Sequence, residues 1–347
     1  MNQYESDGPH QTQFDSDHHL HSVLFAIPFP RPTNHHSTTE RSPPFLLYTF
    51  PRSVYEKPPI DPNTGKRGKE KLIKKAERVW QQEVEVGEQI KRGERKDATR
   101  WQKFKGGAAR LASGVIKYMP DNTIETLGRL PPKKKLGTVT ILYPNAKDVA
   151  PTTNVANLNE DEMKEALTKI LQITKKKAFT KSIISGCLLP VTAAIDFFLI
   201  IPIFAFEINI AYFSMQTNGA KKVKALTSAD EKATKRTSRI TTQTTEQNES
   251  NSIFTFKQSS PQTFSYTIDY LYYQCSRLDH SKFPTISTMP IPSYSPDKKI
   301  VEGMILEFQK NLPNHITKRH LLNLDRAAED LSRTLKKAAK EYVKTLS

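Results

Sequence analysis

The chain has 347 residues, enough for one or two domains with a sizeable core. Lys+Arg exceed Asp+Glu by 52 to 36, a formal charge of +16, and this balance favours anionic partners, lipid headgroups or nucleic acid. Only 37% of residues are hydrophobic, so the apolar material is concentrated in few places, and two cysteines without metal-ligand spacing, Cys187 and Cys275, argue against a disulfide framework.

Residues 1–44 are rich in Ser, Thr, His and Pro and read as a disordered leader with one apolar island, Val23–Phe29. The first twenty residues hold Glu5, Asp7, Asp15 and Asp17 but no Lys or Arg, the reverse of a mitochondrial presequence, and no secretory apolar region follows. His18, His19, His21, His35 and His36 lack an element or cysteine to fix ligand geometry, so no metal is expected there. Residues 45–181 read as a helical region with short strands. Phe45–Phe50 (F-L-L-Y-T-F), closed by Pro51, is strand-like in length. Helix signals follow from Lys69, with a stripe of Leu72, Ala76, Val79 and Trp80, and from Trp101 to Tyr118, stopped by Pro120. Thr138–Tyr143 (T-V-T-I-L-Y) is β-branched, ends at Pro144-Asn145 and is the best strand signal in the chain. Asn159 is placed to cap a helix whose stripe is Met163, Ala166, Leu167, Ile170 and Leu171.

Residues 182–226 form the hydrophobic segment. Ile183 to Phe206 contains one charge, Asp196, in twenty-four residues, and lysines stand on both sides. About 20 apolar residues of helix suffice to cross a bilayer, so a membrane element is the leading reading. The alternative is a helical hairpin within a soluble domain, broken at a proline. Pro190 and Pro202 would kink a continuous helix, and Tyr212 sits where interfacial aromatics lie. Asp196 and Glu207, eleven residues apart, fall within about 20° of one helical face and roughly 16 Å apart along it. They are the candidate ion-handling carboxylates, with Asp196 expected to have a raised pKa between Ile195, Phe197 and Phe198. Residues 227–252 read as a disordered polar insert and 253–282 as a short helical, aromatic segment with a stripe of Phe264, Ile268, Leu271 and Tyr272. Residues 283–313 read as a linker with a short helix. Residues 314–347 read as an amphipathic helix whose Leu321, Leu324, Ala328, Leu331, Leu335, Ala338 and Tyr342 fit three heptads, a length that suits a coiled coil and packing on the chain's own core equally. Nucleotide-binding, zinc-protease, redox and hydrolase motifs are lacking, and His315 is isolated, so no catalytic residue, cofactor or metal ligand is assigned and the chain is not expected to be an enzyme.

One ordered set of motifs resembles a known family. F-L-L-Y-T-F, then R-V-W and R-W-Q-K-F, then M-P-D-N-T-I-E-T-L-G-R-L-P-P, T-V-T-I-L-Y-P, L-L-P-V-T, I-P-I-F and N-G-A-K-K follow the order seen in the mitochondrial potassium–proton exchange-related family. The resemblance covers about Phe45–Leu226 and implies a membrane-associated role in potassium–proton exchange at the mitochondrial inner membrane. The expectation is therefore a mainly α fold of membrane-associated helices, with a kinked hydrophobic hairpin or single span, minor short strands and long disordered segments. A single apolar segment cannot enclose an alternating-access path, so the role implied is a subunit or regulator of exchange. The alternative is a membrane-anchored scaffold that transports nothing. The partners expected are anionic lipid headgroups, and a second copy or a membrane protein held through the C-terminal helix, with no nucleic acid.

Overall fold

The run Val23-Leu24-Phe25-Ala26-Ile27 has no polar alternation, and a strand of that kind must be covered on both faces. In the computed structural model it is the centre of strand β1 (Leu20–Pro28), with these five residues at most 1% exposed. The residues described are 20–33, 43–52, 121–131, 135–148, 159–198, 205–240, 253–284 and 298–346, with six isolated positions between 53 and 120; the side chains of 194–198, 205–208 and 229–240 are outside the description.

Among these residues β1 joins β2 (Phe45–Tyr48), β3 (Leu136–Tyr143) and β4 (Phe254–Gln258) in a mixed sheet of order β2-β1-β3-β4. The β2 pairing is antiparallel, with Phe25 opposite Tyr48, and the β3 and β4 pairings are parallel, with Phe25 opposite Leu142 and Val139 opposite Phe254. Alternate residues of β1 then serve two cores. Val23, Phe25 and Ile27 face α4 (Ser265–Leu278), α5 (Lys299–Asn311) and α7 (Leu324–Thr345), with the single turn α6 (Asn314–Thr317) between the last two. Leu24 and Ala26 face α1 (Asn122–Gly128), α2 (Glu160–Phe198) and the C-terminal half of α3 (Ala205–Ile240). Phe25 anchors the first core, its ring 5.8 Å from Phe50, 5.9 Å from Phe264 and 6.2 Å from Phe308.

Several local expectations meet their elements. Strands stand at Phe45–Tyr48 and Leu136–Tyr143, and Asn159 caps α2 in a reciprocal box: Glu162 N donates to Asn159 Oδ1 at 2.9 Å, and Asn159 N donates to Glu162 Oε2 at 3.0 Å. The helices read near Lys69 and at Trp101–Tyr118 lie outside the described residues. Other expectations are corrected. The apolar island of the leader is a central strand, and α3 continues through Ile240 into the stretch read as an insert. The fold class changes with them: helices pack on both faces of a sheet, and among the described residues no helix is long and apolar enough to cross a membrane. The heptad positions Ala328, Leu331, Leu335, Ala338 and Tyr342 are buried in this chain's own core, so of the two readings of the C-terminal helix the internal one holds and the intermolecular seam is corrected.

The β2 edge is closed by side chains arriving from both helical layers. Thr126 Oγ1 of α1 donates to Leu47 O at 2.9 Å, and Arg129 Nη1, just beyond α1, donates to Thr49 O at 2.7 Å. The same guanidinium grips Asp330 of α7 with both nitrogens, at 2.8 and 3.0 Å, and Glu125 at 2.9 Å. Arg333 meets Glu125 and Asp330 from the other side, and Tyr48 Oη donates to Asp330 Oδ2 at 3.1 Å. Burial works to raise the Asp330 carboxyl, but Arg129 and Arg333 outweigh it and hold it below the ordinary carboxylate value. Asp330→Ala leaves two mostly buried guanidinium groups short of a counter-charge, so a loss of about 3–5 kcal/mol is expected from urea unfolding at pH 7.

His320 supplies a pH signature. Its ring lies 4.9 Å from the Phe308 ring and its Nδ1 is 3.2 Å from Phe50 O; burial, helped by Arg52 and Arg129, lowers its pKa from 6.5 to about 4. Between those values the unfolded chain binds a proton that the native chain refuses, so stability is full above pH 6.5 and falls as pH drops toward 4. The part of this slope due to His320, on the order of 3 kcal/mol or less, should be missing from unfolding curves of His320→Gln.

Candidate functional site

Helices α2 and α3 are 39 and 36 residues long, about 58 and 54 Å, far longer than the strands they cover. Among the described side chains their bases belong to the core: Met163, Leu167, Ile170 and Leu171 of α2, and Val223 and Leu226 of α3. Gly219 allows α3 to lie on α1, since a Cβ there would stand 2.5 Å from Ile124 Cγ2. Lys222 Nζ donates to Gly128 O and, at 2.7 Å, to Leu130 O, satisfying carbonyls where α1 ends. Beyond Ala178 the α2 helix packs on α3.

That outer half has an unusual division of residues. The side facing α3 presents hydroxyls and amides, beside Gly186, against which the Phe213 ring packs. Ser185 Oγ meets the Asn209 side chain, Asn209 Nδ2 donates to Ser185 O at 3.1 Å and to Thr192 Oγ1 at 3.3 Å, and Ser182 Oγ lies 3.5 Å from Thr217 Oγ1. Gln216, on the same face of α3 as Asn209 by helical spacing, is fully buried. The side facing away is apolar. Ile183, Ile184, Cys187, Leu188 and Val191 lie within about 140° of one another around the α2 axis. Ile184 is 55% exposed, Leu188 47% and Val191 52%; Phe179, one turn earlier, is 63% exposed. An ordinary surface helix buries such a stripe against its neighbour. Here the neighbour takes the hydroxyls and amides, and the stripe is left to solvent.

Charge sharpens the picture. From residue 166 to 195 α2 carries Lys169, Lys175, Lys176, Lys177 and Lys181 and no acidic residue. Lys175, Lys176 and Lys177 are exposed immediately toward the body from the stripe. The site is therefore a helical face with an apolar outer half and a basic inner half. It contains no catalytic constellation: Cys187 is exposed but isolated, and Cys275 is buried, its thiol pushed up to about 12 by that burial. No group of three or more His, Cys, Asp or Glu able to hold a metal occurs among the described residues.

Asp196 stands in the last turn of α2 and Glu207 near the start of α3. Their side chains lie outside the described residues, so the structure neither joins nor separates the expected ion-handling pair. His315, in α6, is exposed. The stripe itself was visible in sequence as part of the apolar run; its outward direction was not, because counting apolar residues does not say which of them turn toward Ser182 and Asn209.

No known protein family, curated protein or solved structure matches the chain. The resemblance to the potassium–proton exchange-related family thus finds no match to sustain it, and the helices that were to carry it include no membrane-crossing one among the described residues. The expectations that rested on a span are withdrawn together: a subunit or regulator of exchange, a membrane-anchored scaffold, binding to lipid headgroups and a place in the mitochondrial inner membrane. Their physical basis was the length of Ile183–Phe206, whereas the helices that hold it meet through a polar seam and bear lysines along α2.

Asn209 is the clip of that seam. Asn209→Ala leaves the buried Ser185 hydroxyl only the long bond to the residue 209 carbonyl, 3.4 Å, and takes a donor from Ser185 O and Thr192 Oγ1, so a local cost of about 1–3 kcal/mol is expected. Hydrogen exchange should quicken at amides 182–192 while those of 163–171 keep their protection.

Proposed function

We propose that this protein is a non-enzymatic docking module whose α2 face receives an amphipathic helix of another protein, apolar along one side and acidic at one end. The single observation that carries this reading is the reversed helix pair: exposed Ile183, Ile184, Leu188 and Val191 with Ser185 and Asn209 inside. Large apolar side chains exposed together along one helical face, rimmed by polar residues, mark an interaction surface. The lysines beside it select the partner's charge, since a basic end complements an acidic one and speeds its approach. Spacing of the stripe at three and four residues suits another helix, which would lay its own i, i+3, i+4 anchors along it. The body then acts as a rigid base that holds the helix pair upright.

The test uses a fluorescein-labelled three-heptad peptide with Leu at the seam positions and Glu at one end. Anisotropy should show saturable binding that weakens as salt rises. Ile184→Glu with Leu188→Glu changes two exposed side chains, so the fold should survive and binding should fall about tenfold or more, ~1.4 kcal/mol. Equal binding by wild type and double variant, or none by either, sinks the proposal. So does a doubling of mass with concentration in light scattering that the double variant abolishes, which would give the face to a second copy. Sedimentation with anionic vesicles in the absence of peptide binding would also overturn it.

A further inference from the structure

The two edges of the sheet are finished differently. At the β2 edge Thr126 and Arg129 donate to the carbonyls of Leu47 and Thr49, so that edge is closed by side chains. At the other edge stands β4, and among the described residues no strand pairs with its far side. Val139 N donates to Ile253 O at 2.8 Å and Ser259 N to Tyr143 O at 2.9 Å, with Val139 opposite Phe254 and Tyr143 opposite Gln258. In a parallel pair bonded in this way, residues 253, 255, 257 and 259 turn their backbone groups to β3. The N–H and C=O groups of Phe256 and Gln258 then point outward, about 7 Å apart, the two-residue repeat of an extended chain. No described residue bonds to them.

The side chains along this edge are sorted by face. Phe254 is buried and Phe256 partly buried against the α2 side of the sheet. Thr255 and Lys257 stand exposed on the opposite side. There Lys257 Nζ donates to Asn311 Oδ1 at 2.8 Å, and Lys310 Nζ lies 3.1 Å from Ser260 Oγ. Both partners are neutral, so two ammonium charges flank the strand. The carboxylate in this network, Glu307, is 4% exposed and accepts from Asn311 Nδ2 at 3.1 Å. A second copy is a poor occupant, because edge-to-edge pairing of two β4 strands sets these like charges against each other.

We infer that the free edge of β4 receives an extended segment of another protein, apolar at every second residue and acidic at the residues between. Backbone pairing with Phe256 and Gln258 fixes the segment as a strand, its apolar side chains lie beside Phe256, and its carboxylates meet Lys257 and Lys310. The surface uses none of the residues of the α2 face. The test adds the peptide acetyl-Val-Glu-Val-Glu-Val-Glu-Val-amide to the full chain and follows amide shifts and hydrogen exchange by NMR. Saturable shifts are expected along β4, with exchange slowed at the amides of Phe256 and Gln258 and unchanged at Thr255 and Lys257, which β3 already holds. The same peptide with Lys in place of Glu should bind about tenfold more weakly. Gln258→Pro deletes one outward N–H, a change an edge strand accepts, and should weaken binding about tenfold while the β3 amides keep their spectrum. Lys257→Glu should weaken it as well, and Ile184→Glu with Leu188→Glu should leave it unchanged. Equal binding of the two peptides, equal affinity in wild type and either edge variant, loss of binding in the α2 double variant, or exchange that stays fast at Phe256 and Gln258 would each overturn the assignment. So would a doubling of mass with concentration that itself protects those amides, which gives the edge to a second copy.

Discussion

The grip of Arg129 on Asp330 closes the molecule. An edge strand exposes a row of backbone groups, and β2 is only four residues long, too short to hold two helical layers by pairing alone. Arg129 comes from the α1 side and Asp330 from the α7 side, and they meet over Tyr48 and Thr49. Both charges are largely withdrawn from water, so the geometry must be complete to be worthwhile: Arg129 has partners at Thr49, Asp330 and Glu125, and Asp330 has partners at Arg129, Arg333 and Tyr48. The closure brings α1 and α7 to one edge without filling the space between them, and a recess lined by Phe29, Phe45, Asn122, Glu341 and Tyr342 remains at the end of β1.

The recess at the end of β1 and the α2 face differ in how they are supported. The recess is built from elements buried in the sheet core, and its walls have little freedom. The α2 face stands on a helix pair joined by side-chain hydrogen bonds of modest strength, outside the cores. The first arrangement keeps a fixed shape. The second favours a partner that brings apolar area of its own and gains from covering Ile184 and Leu188.

What the sequence disclosed follows a physical line. Signals closed within a few residues were legible: the Asn159 box, the β-branched Thr138–Tyr143, and the Phe264, Ile268, Leu271, Tyr272 stripe, which α4 buries. Signals that depend on what lies opposite were not. Val23–Ile27 is apolar on both faces, but its neighbours in the chain are polar and histidine-rich, and its cover comes from helices some hundreds of residues away. The C-terminal heptads showed correctly that one face is buried, and periodicity is silent on whether the burying surface belongs to the same chain. The run from Ile183 onward has the length of a span, yet Ser185 and Thr192 within it and Ser182 just before it set its direction without changing its mean hydropathy much. The recess had no sequence signal at all: Asn122 and Glu341 are separated by 219 positions.

The stacking of Phe29 on Tyr342, with Tyr342 Oη donating to Pro30 O at 2.8 Å across 312 positions, has a kinetic meaning. The first strand made cannot be covered on its α7 face until the last helix has been synthesised. During that interval the face of β1 that carries Val23, Phe25 and Ile27 lacks part of its cover, and a chain whose closing contacts are this distant pays the loop-closure entropy before they form. Closure of this core is thereby postponed until α7 has been made, and until then the chain depends on whatever shields the uncovered face of β1 from a wrong neighbour.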